Sequence, residues 1–448
     1  MTRIGFADHL FLRMHHGIGY PVYNQFLWWF DRAIQREDLE TLRDNLSDGL
    51  LARRVVAPSV PTARERWVAS PVSHPLDVRQ QAIDASEVRA WAQGRLDTDI
   101  DPETGLGWRL SATPVIDGGM VLSLAASHMV ADGGALVAAF RSANSSSDQP
   151  CLTPAEHGLA ALGSDMMDAF GQLRSAAGWL VDSAVSALPV RTRSDAPMPT
   201  PRSSPNRSDI ATGPAGEREW AAPYAVAEVD AAAWRAASDR WGGTSNSLFI
   251  AVLTAASGCA GRASIGDTVQ WSLPVSDRTA ADTRSNATKI VKIEVPVTDA
   301  ADLDLTPIRQ ISKAAFTAFT ERQATGRAPA GISQALVQML PDAVVARIPQ
   351  PRDGAEGLAS NMGVLPEDFT TVAGVRARAV SGRASFFGAD AEFARSLDGG
   401  LTAWACEAGS TVTVTAHAMD PDRFPDDRTL RDHLAEALGR WGMTAHFW

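Results

Sequence analysis

The chain is expected to be an α/β protein folded as two units. Three observations predict this. Its 448 residues exceed what one ordinary core organises. Strand-like and helix-like runs alternate along both halves. A stretch rich in Pro, Ser, Gly and Arg, "SDAPMPTPRSSPNRSDIATGPAG" (194–216), has the composition of a linker. The expected division is an N-terminal unit over 1–190, a linker over 191–218 and a C-terminal unit over 219–448.

Taken in order, "FLWWF" (26–30) is apolar on every side and suits either a strand buried on both faces or a segment that meets lipid. "GWRLSATPVIDGGMVLSLAAS" (107–127) reads as a hairpin, two apolar runs about the turn residues "DGG". "GALVAAFRSA" (134–143) has helical spacing. Leu159, Leu162, Met166, Phe170, Leu173, Ala177, Leu180, Ala184 and Leu188 recur every three or four residues. Their stripe is expected to pack on its own unit, with a peripheral membrane or lipid contact as the alternative.

In the second half, "TSNSLFIAVLTAASGCAGR" (244–262) predicts a buried helix with Thr244, Ser245 or Asn246 near its cap. "TVQWSLPVSDR" and "TKIVKIEVPV" read as strands, and "GLTAWACEAGSTVTVTAH" (400–417) as a hairpin turning at "EAGS".

Composition narrows the function classes. A net charge of −11, with only Lys289, Lys292 and Lys313 as lysines, argues against nucleic acid as a partner. Three scattered cysteines, Cys151, Cys259 and Cys406, suggest neither a disulfide framework nor a zinc knuckle, and a reducing cytoplasm is the expectation. Asp8, His9 and Arg13 interrupt what would be the apolar core of a signal peptide. Phosphate-loop, nucleophile-elbow and zinc-helix motifs are missing, so no resident cofactor or metal is expected.

Among nine histidines, His128 has the most telling surroundings. It ends an apolar strand, where desolvation keeps an imidazole neutral and able to accept a proton. Asp132, four residues on, could pair with that ring or turn away to brace the loop through an arginine. Gly133 and Gly134 allow a tight turn and leave room for a substrate chain. A base on a loop and a satisfied core histidine both suit these residue types. The pair His15-His16 has no acid four residues on and reads as a surface or structural pair; His417, at a strand end, is a weaker candidate.

"SHMVADGG" (127–134) resembles the His-His-x-x-x-Asp-Gly motif of the chloramphenicol acetyltransferase-like superfamily. That superfamily includes peptide condensation domains, polyketide-associated acyltransferases and wax ester synthase/diacylglycerol acyltransferases. Three further stretches are similar in order and spacing: the 244–262 helix with its Thr/Ser-x-Asn start, the Pro-Val-x-x-Arg strand of "WSLPVSDRTAADTRSNATKIVKIEVPV" followed by an Asn, and the Ser-Asn loop of "SNMGVLP".

The resemblance implies two acetyltransferase-like subdomains in a V-shaped pseudo-dimer with a tunnel between them. It implies His128 as general base for attack of an acceptor hydroxyl on a thioester, acyl-coenzyme A or a phosphopantetheinyl thioester on an acyl or peptidyl carrier protein. Asp132 would brace the loop through Arg278, Gly133 would give the donor arm its space, and Ser127, Gly134, Ser360 and Asn361 would lie along the tunnel. The acceptor would be a small molecule or lipid. Ser127 replaces the motif's first histidine, which disfavours a strict peptide-forming domain. Amide formation and a non-catalytic lipid or partner binder are the alternatives.

Overall fold

The computed structural model describes residues 2–97, 99–145, 152, 154, 158–186, 220–279, 282–299, 301–324, 333–340 and 355–448, with side chains of the long helix from 158 described up to 179. The 191–218 segment and Leu188 lie outside the described residues.

Two large sheets form the frame. One has the order β12-β13-β2-β7-β6-β5, where β2 is Val22–Phe30, β5 Asp77–Val78, β6 Trp108–Pro114, β7 Met120–Ser127, β12 Thr371–Val372 and β13 Val375–Phe386. The other has the order β10-β9-β11-β14-β15-β8-β16, where β8 is Tyr224–Asp230, β9 Thr268–Ser276, β10 Thr288–Pro296, β11 Ala355–Val364, β14 Leu401–Ala408, β15 Thr411–Ala418 and β16 His446–Phe447. A small sheet joins β1 (Thr2–Arg3), β4 (Arg66–Ala69) and β3 (Arg53–Val56).

Local sequence explains the central elements. All nine residues of β2 are buried, which is why "FLWWF" carries no polar face. The 107–127 hairpin forms as read, with Trp108 opposite Ala126, and its turn is made possible by Gly118 at φ +93°. Helix α7, Ser245–Cys259, starts at the Thr244 cap, whose Oγ1 accepts from Ser247 N at 3.2 Å. The β14–β15 hairpin turns at Gly409-Ser410.

One segment crosses between the halves of the chain. β13 comes from the C-terminal half yet pairs antiparallel with β2 across the first sheet, Arg383 opposite Gln25. The division at 191–218 therefore separates stretches of chain and not sheets. Alternating apolar residues and arginines in "VRARAVSGRASF" imitate a strand with one wet face, but Arg383 is buried. Its Nε and Nη1 donate to Gln25 Oε1 (2.7 Å) and Gln93 Oε1 (2.8 Å), and its guanidinium lies 4.1 Å from the centre of the Tyr224 ring on β8. Two residues along on the same side of β13, Ser381 Oγ meets Thr415 Oγ1 at 2.7 Å.

The long helix α5, Gly158–Ser186, reverses the expected packing. Its inward face is small and polar: Ala161, Asp165, Ala169, Gln172 and Ala176. Leu159, Leu162, Met166, Phe170 and Leu173 point outward, Phe170 at 69% exposure. Ion pairs explain the orientation. Asp165 Oδ1 accepts from Arg3 Nη2 (2.8 Å) and Arg66 Nη1 (2.9 Å), and Asp168 Oδ1 from Arg64 Nη2 (2.7 Å). Docking these carboxylates on β1 and β4 leaves the apolar stripe with no place inside. No helix among the described residues is long and apolar enough to cross a membrane.

Asp165 is fully buried between two guanidiniums that are themselves largely buried. Asp165→Ala is expected to lower stability by about 3 kcal/mol, because both arginines lose their counter-charge without regaining water. Urea denaturation checks this; an unchanged midpoint would show that these pairs do not hold the helix.

Candidate active site

The site is assembled where β7 ends. Ser127 N donates to Gly107 O at 2.9 Å and His128 N to Val22 O at 2.8 Å, so the neighbouring strands hold the backbone up to the histidine. Chain 128–132 then turns, with Asn24 Nδ2 on Ala131 O at 2.9 Å, and helix α4, Gly133–Asn144, begins behind Asp132 as its N-cap.

His128 is partly exposed, and its ring is fixed from two sides. Phe11, from helix α1 (Phe6–Arg13), stacks on it at 3.8 Å between centroids and 19° between planes. Nδ1 lies 3.0 Å from Asn286 Oδ1. The amide orientation follows from its other bonds, since Asn286 Nδ2 faces Asp8 Oδ1 and His128 O, both at 2.9 Å and both able only to accept. Asn286 Oδ1 must then accept, Nδ1 must carry the proton, and Nε2 keeps its lone pair. Among the described residues no protein group bonds Nε2.

Burial is the largest influence on the ring and holds its pKa below the ordinary 6.5, while the charges of Asp132 and Asp8 and the Asn286 bond act in the opposite sense. The imidazole is therefore neutral at neutral pH, with a free lone pair at Nε2, which is the state a general base needs.

Asp8 serves two ends. Its Oδ2 accepts from Gly5 N at 2.8 Å and caps α1, the helix that carries Phe11, and its Oδ1 also accepts from Ser285 Oγ at 2.8 Å.

Asp132 turns away from the ring. Its Oδ1 accepts from Ala135 N (2.7 Å) and Arg278 Nη2 (3.1 Å), and its Oδ2 from Ala287 N (2.7 Å) and Thr288 Oγ1 (2.9 Å). Arg278 Nη1 reaches on to Arg284 O at 2.8 Å. The aspartate thus ties the α4 terminus to the start of β10, where Asn286 is presented.

The remaining sequence candidates sit as follows. Ser127 is buried, and its Oγ accepts from Met129 N at 3.3 Å within the turn. Gly133 and Gly134 both have φ outside the positive region, so a missing side chain and not backbone freedom explains them. A Cβ on Gly133 would stand 2.8 Å from the Trp404 ring of β14, so the space expected for a donor arm is filled there by an indole. Gly134 lies beside the Asp132–Arg278 pair. Ser360 and Asn361, expected in a loop, are in β11, opposite Trp404 and Ala405, just before a break in register. Asn361 Oδ1 accepts from Gly363 N at 2.9 Å, and neither residue hydrogen-bonds to His128. Two surface cavities, one lined by Arg141, Asn144 and Asp368 and one by Asp31, Arg235 and Arg378, lie away from the histidine.

No protein-family model and no curated protein sequence matches the chain. Solved structures do. The condensation domain of the Monacolin K polyketide synthase MokA superposes with a TM-score of 0.56 at 13% identity, covering 98% of this chain and 96% of that one. The wax ester synthase/diacylglycerol acyltransferase from Marinobacter aquaeolei VT8 gives 0.56 at 14% identity, covering 98% of both chains. The chain has the condensation-domain fold. Polyketide synthase associated protein 5 from Mycobacterium tuberculosis shares it as well, with a TM-score of 0.52 at 13% identity over 97% of each chain.

Within this fold, the residues that sequence reasoning missed are Phe11 on the His128 ring, Asp8 and Ser285 behind Asn286, and Trp404 against Gly133. In the sequence Asn286 is only the Asn that follows the arginine strand. None of these carries a local signal, because each comes from a part of the chain distant in sequence from His128.

Asn286→Leu leaves the Nδ1 proton without its acceptor and removes one of the bonds to the Asp8 carboxylate, and is expected to cost about 2 kcal/mol of stability. Nitrogen-15 NMR of the histidines reads the ring directly. The unsubstituted protein is expected to show His128 as the Nδ1-protonated tautomer, titrating below pH 6.5. A midpoint above that value would contradict the burial argument.

Proposed function

We propose that the protein is an acyltransferase that moves an acyl group from a thioester to an acceptor hydroxyl, with His128 as the general base. The observation that carries this reading is the fixed tautomer: Nδ1–H is bound to Asn286 and Nε2 is left free on a partly exposed, neutral ring.

The chemistry follows from that lone pair. Nε2 takes the acceptor's hydroxyl proton as its oxygen attacks the thioester carbonyl. The tetrahedral intermediate collapses with cleavage of the C–S bond, and the imidazolium returns the proton to the leaving sulfur. Products are an ester and a free thiol, with no covalent acyl-enzyme. Imidazolium formed in the first step is stabilised by Asn286 Oδ1 and by the buried carboxylates of Asp8 and Asp132, which both favour the charged ring.

Acyl-coenzyme A and a carrier-bound phosphopantetheinyl thioester present the same reacting group. The similar MokA domain belongs to a polyketide synthase, which supports the carrier as donor, and the similar wax ester synthase/diacylglycerol acyltransferase supports a hydroxyl acceptor. Asn361 Oδ1 is engaged by Gly363 N within β11, and the proposed proton transfer needs neither it nor Ser360.

His128→Ala is expected to lower thiol release from acyl-thioester plus acceptor by about 10²–10⁴-fold with the fold intact. Full turnover in that variant would overturn the proposal. The acid limb of kcat/KM is expected to fall below pH 6.5: a base with a lowered pKa stays unprotonated as pH drops through 6.5 and is lost only further down. An amine acceptor turned over faster than an alcohol would redirect the reading to amide formation.

A further inference from the structure

The pair His15-His16 acquires in three dimensions what it lacks in sequence. Helix α1 does not end at Arg13 but widens into a π-helical turn, Met14–Ile18, closed by Gly19 at φ +86°. Wide turns of this kind re-aim side chains and recur at functional sites. Here the turn places the rings of His15 and His16 edge to face, 4.5 Å apart. Asp101 faces them from the loop before β6, 86 residues further along the chain.

The three side chains offer ligand atoms that all lie within 4.8 Å of one another. His15 Nε2 is 3.7 Å from Asp101 Oδ1, beyond hydrogen-bond reach. Glu103 Oε2, at 2.6 Å from His16 Nε2, holds that ring against the loop.

An orphaned donor set points to a ligand. The His15 side chain is only 8% exposed, and its Nδ1 is buried with no hydrogen-bond partner. A buried imidazole nitrogen without a bond is costly unless something else occupies it. The loop opposite is rigidly built: Asp101 N donates to Leu106 O at 3.1 Å, Val55 N to Pro102 O at 2.9 Å, and Tyr23 Oη to Ile100 O at 3.3 Å.

We propose that His15, His16 and Asp101 bind a divalent transition ion of the zinc type. Two imidazoles and one carboxylate suit Zn²⁺ or Co²⁺, whereas Mg²⁺ and Ca²⁺ take oxygen ligands. Bonds of about 2.0–2.2 Å require the donors to close by about 1 Å, within reach of side-chain rotation. The fourth position is left to water or an incoming ligand.

The consequence reaches the candidate active site. His15 follows Phe11 by one turn of the same helix, and Phe11 stacks on His128. An ion there clamps this helix to the 100–106 loop and steadies the surface on which the catalytic ring rests. The binding itself does not depend on the acyl-transfer reading.

The test uses the full-length, untagged, chelator-treated chain with Co²⁺ and Zn²⁺ as probes. One Co²⁺ per chain with visible d–d absorption is expected, together with a rise in melting temperature on adding Zn²⁺. His15→Ala and Asp101→Asn are each expected to weaken binding at least about tenfold and to abolish the Zn²⁺ stabilisation. His446→Ala, at an exposed position in β16 of the other large sheet, is expected to leave both unchanged. If His15→Ala does not fold, Asp101→Asn carries the same readout. No Co²⁺ binding by the unsubstituted chain at about 100 μM metal, or binding indifferent to both substitutions, would overturn the proposal.

Discussion

The buried carboxylate of Asp132 is the interaction on which the rest of the site depends. It accepts four bonds, one from its own helix and three from the 278–288 region that leads into β10. A carboxylate removed from water is stable only with its lone pairs filled and a cation beside it, and Arg278 supplies that cation. The helix α4 terminus, whose free N–H groups favour a negative charge, adds to the same end. Because the bonds come from both halves of the chain, satisfying one aspartate fixes the His128 turn against the strand that presents Asn286.

That constraint passes to the imidazole. Asn286 can aim its carbonyl oxygen at Nδ1 only because its NH₂ group is held by Asp8 Oδ1 and His128 O. Asp8 in turn is placed by capping α1, and the same helix supplies the ring under His128. Tautomer and ring plane therefore share one origin, a closed polar network, whereas the lowered basicity comes from burial, which that network opposes. Such networks are rigid when every member is satisfied and expensive when one is not.

The two sheets are joined by a comparable device. β13 is contributed by the C-terminal half of the chain to the sheet that holds β2 and β7. Arg383, deep in this join, keeps its charge among two glutamine oxygens and the Tyr224 ring. Trp404 of β14 then fills the notch left by Gly133. Close approach of these two halves, and not a turn needing unusual backbone angles, accounts for a glycine at that position.

The sequence by itself determined the elements whose signals are local: the β6–β7 hairpin, the Thr244-capped helix, the β14–β15 hairpin, and the isolation of His128 at an apolar strand end. Periodicity and capping are nearest-neighbour properties, so one segment suffices to read them. Tertiary structure decided what depends on partners far along the chain. Asp132 was compatible with pairing to the imidazole or with bracing, and Arg278, Ala287 and Thr288 settled it. The stripe of α5 had the right period for burial, but Arg3, Arg64 and Arg66 captured Asp165 and Asp168 and turned it outward. β13 and its buried arginine, the Asn286–Asp8 support of the base, and the approach of Asp101 to His15 carry no local signature, because charge pairing and hydrogen bonding act through space and not along the chain.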